Sequence, residues 1–184
     1  MDVKIAIHER RAYRALEETE ITDELIEDLA KHAQLSPSCY NNQPWNFVFV
    51  YDEDVLEKIQ EKVIKPYNEW TKKASLIIAV FSKSEDDCEV DERSYHLFDT
   101  GMASAFLQLR ATELGLVAHP IAGYDEGEAK DLLDIPEEYR LITLINVGKH
   151  ADEPTEYMTD DQIETEKERP ERKDLDEFVH RNKF

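Results

Sequence analysis

Three short stretches of this chain hold groups whose type and spacing could do chemistry. Arg10, Arg11 and Arg14 fall together in HERRAYRAL. Guanidinium matches phosphate oxygens two at a time, so three of them in one short segment indicate an anion site, with a solvated face paired to Glu9, Glu17 or Glu18 as the plainer reading. If the segment is helical, Arg10 and Arg14 stand one turn apart on one face. The second stretch is Ser36 to Trp45, SPSCYNNQPW. Its prolines disfavour a helix and fix the backbone, while Ser38, Asn41, Asn42 and Gln43 supply donors and acceptors. Such a loop reads the polar edge of a ligand, or it satisfies its own backbone as a capped turn. The third is Pro120-Ile121-Ala122-Gly123, where the backbone is the actor: a glycine lets N–H groups approach a ligand that a side chain would block.

These stretches need a scaffold, and the chain is long enough to build one. Its 184 residues correspond to one domain with a real core, and 41% apolar against 35% charged residues indicate that most of it folds. The 42 acidic and 22 basic residues give a net charge of -20, which argues against nucleic acid or an anionic membrane as partner. It also makes a local arginine cluster more informative. Cys39 and Cys88 are far apart without a Cys-x-x-Cys spacing, so neither a disulfide framework nor a thiolate zinc site is expected. No run reaches the roughly 18 apolar residues of a membrane span, and MDVKIAIHERR lacks a signal-peptide apolar region. A cytoplasmic location is expected.

Periodicity then places the elements. Thr22 caps a helix through Leu25, Ile26, Leu29 and Ala33. Residues 47–51 (FVFVY) read as a buried strand, residues 52–65 as an amphipathic helix, and residues 66–73 as a break holding Asn68 and Trp70. A strand follows at 75–82. The acidic segment 83–92 reads as a surface loop without a chemical role. From Ser94 a long helix carries Leu97, Phe98, Met102, Ala105, Phe106 and Leu109, with a waist of small residues around Gly101. Such a helix is central and buried, or it meets its own symmetry mate. Gly115 ends it; a short strand leads into the 120–123 turn, then a helix at 125–133 and a strand at 141–148. The charged tail from Lys149 has only scattered apolar anchors, so it is disordered or docks on another surface, such as a partner subunit.

In order along the chain, RR-x-x-R, PS-x-x-N-x-QPW, D-x-G-x-A (Asp99 to Ala103), LGL…PI-x-G and IPE…VG resemble the FMN-dependent nitroreductase family, from about Arg10 to Gly148 and less closely through Arg172 to Val179. The resemblance implies an α+β fold: an α/β sandwich with a central, mostly antiparallel sheet flanked by helices. It further implies an intertwined homodimer with FMN at the subunit interface and the tail, residues 150–184, wrapping the partner. Residue by residue, Arg10, Arg11, Arg14 and Arg172 match contacts to the flavin phosphate, ribityl chain and pyrimidine side. Ser38, Cys39 and Asn41, with Gln43 beside them, match contacts from the partner chain. Asn68 matches an amide on the pyrimidine edge, and Pro120, Ile121, Ala122 and Gly123 the turn facing the ring. Ala12 and Cys39 stand where serines are common, Ala122 where some members have glutamate, and Thr71 where some have lysine; Lys72 next door should point elsewhere.

The implied activity is NAD(P)H oxidation by ping-pong hydride transfer through flavin N5 to nitroaromatic, quinone or similar flat acceptors. No side-chain nucleophile, general base or metal is required. Arg14 gives electrostatic support to the reduced flavin. His96 and His119 then read as structural or substrate-proximal, and Tyr40 and Trp45 as packing or a substrate shelf. An FMN-binding storage or sensor protein without turnover is the alternative. A dehalogenating member would need lid aromatics that the 83–92 segment lacks.

Overall fold

The computed structural model describes all of residues 1–184. Helix α1 (Val3–Glu9) opens on Asp2, whose carboxylate accepts the Lys4 N–H, and it stops at Arg10, where the backbone becomes extended. Arg10 and Arg14 therefore do not share a helical face. Ala6 is the only buried residue of α1, so no apolar stripe carries the helix further. The next residues are instead drawn to the sheet: Ala15 and Leu16 are buried and the Ala15 carbonyl accepts the Ala151 N–H at 3.0 Å. Strand β1 (Leu16–Glu17) follows, then α2 (Asp23–Gln34), whose Leu25 N–H is capped by Thr22 Oγ1 at 3.2 Å as predicted.

The chain then enters β2 (Asn46–Val50) and α3 (Glu53–Lys58), which passes directly into a wider π turn over Ile59–Val63. The predicted helix over 52–65 is thus present but not regular. The wide turn keeps both Ile59 and Val63 fully buried, and such turns recur beside functional sites. Tight 3-10 turns over Pro66–Lys73 lead to β3 (Leu76–Ser82). A small hairpin follows, β4 (Glu89–Val90) and β5 (Arg93–Ser94), then the long α4 (His96–Glu113). Gly115, at φ +78, reverses the chain past the helix end in the left-handed conformation that glycine tolerates best. The remaining elements are β6 (Leu116–Ile121), α5 (Glu126–Leu132), β7 (Arg140–His150) and α6 (Asp160–Lys167).

All pairings in the sheet are antiparallel. β7 is its hub: β3 pairs with residues 140–147, β6 with 144–149, and β1 with 149–150, while β2 pairs with β3. β3 is buried along its whole length because both faces of the sheet are covered. Its alternate residues divide the core: Ile77, Ala79 and Phe81 pack with Ile59, Val63, Trp70 and Leu144, whereas Leu76, Ile78 and Val80 pack with Leu29, Ala33, Ala103 and Leu107. The α+β sandwich expected from the sequence is the fold observed.

Two expectations fail in the connections. Cys39 and Cys88 are joined in a disulfide, Cα atoms 6.1 Å apart across a sequence separation of 49. The fold brings together loops that sequence spacing left unrelated, and 83–92 is accordingly a tethered hairpin rather than a bare loop. The first half of the tail also docks on its own chain. Met158 and Gln162 are buried, and Gln162 Nε2 donates to the Tyr67 carbonyl at 2.7 Å. Beyond it Leu175, Phe178, Val179 and Phe184 are exposed.

The hub role of β7 gives a direct stability test. Leu144 is fully buried among residues of both neighbouring strands, so Leu144→Ala is expected to lose about 2–5 kcal/mol. Urea denaturation should show a lowered midpoint with an unchanged slope, and a loss below about 1 kcal/mol would contradict this packing.

Candidate functional site

The extended segment after α1 and the segment after α6 face each other across a small cavity of about 190 Å³. Its lining includes Arg10, Arg11, Arg14, Arg169 and Arg172, together with Ala12, Thr165 and Glu166. Three of the four sequence-predicted cationic residues come from the first segment and Arg172 from the second. Arg169 was not anticipated; its only signal was the basic spacing of ERPERK.

The arginines divide by what they touch. Arg11 is committed to structure: its guanidinium donates to the Thr165 carbonyl at 3.1 Å, the Glu166 carbonyl at 2.9 Å and the Glu168 carbonyl, and it lies 4.7 Å over the Tyr13 ring. It thereby caps the C-terminal end of α6, where a cation is favoured by the helix dipole. Arg14 is held at its backbone, whose N–H donates to Glu166 Oε1 at 2.6 Å, and its Nη1 donates to Thr165 Oγ1 at 3.2 Å. Arg169 donates to the His8 and Arg10 carbonyls.

None of the five forms an ion pair; the arginine ion pairs of this chain belong to Arg93, Arg110 and Arg140. In a chain with 42 acidic residues this grouping is specific. Burial, and then the positive charges of Arg169 and Arg172, press the Arg10 pKa below its ordinary value. Five guanidiniums gathered beside a single lining carboxylate, Glu166, leave an excess of positive charge that favours an anionic ligand.

A second group lies at the end of β6. Asn68 is buried and both ends of its amide are engaged, Nδ2 donating to the Gly123 carbonyl at 3.2 Å and Oδ1 accepting from Trp70 Nε1 at 3.2 Å. The Lys65 N–H donates to the same Gly123 carbonyl at 3.0 Å. A Cβ on Gly123 would stand 2.5 Å from Asn68 Nδ2, so any side chain here would push the Asn68 amide out of this contact. The N–H groups of Ala122 and Gly123 make no hydrogen bond within the chain, and Pro120 and Ala122 are exposed. These two N–H donors are therefore left without a partner in the chain. Ile121 itself is buried in the core.

His119 joins the two groups. Its ring stacks on Trp70 at 4.5 Å between centroids, and Nδ1 meets the Tyr13 carbonyl at 2.9 Å, an arrangement that makes Nδ1 the protonated nitrogen. Burial, with smaller effects from Arg14 and Arg10, lowers its pKa to about 4. It is therefore neutral at pH 7 and engaged in structural contacts, the first of the two readings its sequence position allowed. His96 is likewise occupied, with Nδ1 2.8 Å from Ser82 Oγ.

Ser38, Cys39, Asn41 and Gln43 do not line the arginine cavity of their own chain. Their loop is self-bonded: Ser38 Oγ accepts the Gln43 N–H at 2.9 Å, Gln43 Nε2 donates to the Asn41 carbonyl at 3.2 Å, and the Cys39 N–H donates to Asp99 Oδ2 at 2.6 Å. At the other departures, Thr71 is fully buried, whereas Lys72 turns to the Tyr157 ring, 5.2 Å away, and to Glu69.

The chain as a whole is similar to known proteins. The nitroreductase family profile matches residues 7–69 and 64–149. A protein of Methanothermobacter thermautotrophicus, provisionally named NADH dehydrogenase/NAD(P)H nitroreductase, is 32% identical over 91% of this chain and 88% of its own. One of the same name from Archaeoglobus fulgidus is 30% identical over 85% of this chain and 90% of its own. A solved structure described as an oxidoreductase containing FMN superposes with a TM-score of 0.85 at 25% identity, covering 100% of this chain and 93% of the other.

The buried histidine generates a pH prediction. Its folded pKa lies below the unfolded value of about 6.5, so its contribution is fully present above that pH and is lost as pH falls toward 4. The loss is on the order of 3 kcal/mol. Urea denaturation at pH 7, 5 and 4 should show this decline, and His119→Gln should remove that part of the pH dependence. An unchanged profile in the variant would contradict the assignment.

Proposed function

The chain belongs to the nitroreductase family, and we propose that it is an FMN-dependent oxidoreductase that takes reducing equivalents from NADH or NADPH and delivers them to flat nitroaromatic or quinone-like acceptors. The single observation that carries this reading is the set of five arginines without ion-pair partners around one cavity. That donor set fits the FMN phosphate. When bound, FMN supplies the two-electron chemistry between nicotinamide and acceptor.

The chain's own part is to bind and orient. Arg10, Arg169 and Arg172 hold the phosphate, with Arg11 fixing the wall behind it through the α6 carbonyls. Arg14 lends positive charge where negative charge accumulates on reduction. The free N–H groups of Ala122 and Gly123 and the clamped amide of Asn68 orient the ring edge. The neutral His119 keeps Trp70 and the Tyr13 backbone in place and carries no proton to the reaction.

We further read residues 1–184 as one FMN-binding domain that acts as a homodimer, with Ser38, Cys39, Asn41 and Gln43 reaching the partner's flavin. Helix α4 buries Ala103, Leu107 and Ala111 while exposing Leu97, Phe98 and Phe106, and open space surrounds Gly101. An apolar helix face of this kind suits a symmetry mate. The exposed Leu175, Phe178 and Val179 suit a tail laid over the partner. No helix is long and apolar enough to cross a membrane; the requirement for pyridine nucleotide supports a cytoplasmic location.

Arg10→Ala and Arg172→Ala are each expected to weaken FMN binding by about 1.5–3 kcal/mol, the range for a hydrogen bond to a charged group. Fluorescence titration with FMN measures this, and wild-type affinity in both variants would remove the phosphate assignment. Anaerobic addition of NADH or NADPH should bleach the flavin absorbance, and a quinone or nitroarene should restore it. Flavin that binds but resists reduction by either nucleotide would favour a storage or sensor role.

A further inference from the structure

Two conformationally costly loops meet at the Cys39–Cys88 disulfide. In the first, Tyr40 (φ 50), Asn41 (φ 61) and Gln43 (φ 53) all occupy left-handed backbone. Residues with a Cβ persist there only when their surroundings over-determine them. Side-chain restraints on this loop are four: Ser38 Oγ on the Gln43 N–H, Gln43 Nε2 on the Asn41 carbonyl, Asp99 on the Cys39 N–H, and Asn42 Nδ2 on Asp87 Oδ1 at 3.3 Å, the last two alone reaching outside the loop. The second loop is the β4–β5 hairpin. Its turn residues, Asp91 (φ 51) and Glu92 (φ 64), also lie in the left-handed region, where such turns prefer Asn-Gly. A ribbon of two-residue strands has little stability of its own. The disulfide therefore restrains both loops at once. Both cysteines are only half-buried, within reach of a small thiol. In a compartment supplied with pyridine nucleotides, disulfides are more often redox-sensing than structural.

We propose that Cys39–Cys88 is a redox-modification site that sets how tightly the protein holds FMN. The proposal rests on the reading that Ser38, Cys39 and Asn41 contact the flavin. With the bond formed, the loop is fixed in its binding conformation; with the bond broken, the loop relaxes and part of the affinity goes into ordering it again. The co-reactant is a low-molecular-weight thiol or dithiol. Its thiolate attacks one sulfur, the Cys39–Cys88 bond breaks, and the departing thiolate takes up a proton. A second thiol resolves the mixed disulfide. Two electrons and two protons enter the protein, and the reductant leaves as its own disulfide. Asp86, Asp87, Glu89 and Asp99 stand on or beside these segments, so a neutral dithiol is better suited than an anionic thiol.

The test is FMN titration of the full-length protein, followed by flavin fluorescence, with and without dithiothreitol. A thiol reagent counts free cysteines in each sample. The oxidised protein should show none and the reduced protein both, with FMN held about tenfold more weakly after reduction. Reoxidation should restore the affinity. Cys88→Ser, which leaves the Cys39 backbone contact to Asp99 in place, should bind FMN like reduced wild type and ignore the reductant. Should that variant not fold, the wild-type comparison still decides. Equal affinities in the two verified thiol states overturn the proposal, as does free thiol in the oxidised sample. Failure to bind FMN in either state also overturns it, but by removing the flavin site itself, a result distinct from two equal measurable affinities.

Discussion

Mutual repulsion among guanidiniums is the constraint around which this molecule is arranged. Five arginines face a small cavity with no ion-pair partner of their own, in a chain whose surplus of carboxylates would satisfy all of them. The elements that gather them are held by other means. Arg11 grips backbone carbonyls at the end of α6, Arg14 is anchored by its N–H to Glu166, and Arg169 ties back to the His8 and Arg10 carbonyls. Positive charge is thus kept in place in excess of the one lining carboxylate, Glu166, the electrostatic preorganisation that an anionic cofactor needs.

The rest of the site is mechanically continuous with that cluster. From the Tyr13 carbonyl the contact runs through His119 to Trp70, from Trp70 to Asn68, and from Asn68 to Gly123. Each step is buried or nearly so, and each polar atom named has its partner. The Asn68 amide and the segment presenting arginines are therefore positioned by one packed unit rather than by independent loops. The neutrality of His119 follows from this place in the structure, because a charged imidazole there would face both burial and the adjacent arginines.

Much of this was legible in the sequence. The apolar run of residues 75–82 indicated the strand β3, the Thr22 cap and the spacing of Leu25, Ile26, Leu29 and Ala33 indicated α2, and Gly115 marked the end of α4. Arg10, Arg14, Arg172, Asn68 and Gly123 were singled out because their types and order match a known pattern, and the fold brings the arginines to one cavity and Asn68 onto Gly123. Other features depend on tertiary packing. The α1 end at Arg10 is set by the pull of Ala15 and Leu16 into the core, which overrides a helical continuation. The disulfide depends on two loops meeting in space, and no local spacing announces that. Arg169 gave little signal, since an arginine among glutamates and lysines resembles any solvated charge. The docking of residues 158–163 was hidden because each apolar anchor is isolated in sequence and finds its neighbours only in the folded chain.

The hub position of β7 bears on how chains of this architecture can vary in length. Its eleven residues are paired with three other strands, and successive side chains face opposite layers of the core. An inserted residue within it would turn the following positions over, so that the partnerships of β3, β6 and β1 could not all be retained together. Length change is accommodated far more readily at the exposed tip around Asp91 or in the last few residues beyond Val179, where little is fastened on both sides. Indels should therefore be sparse across 140–150 and tolerated at those margins.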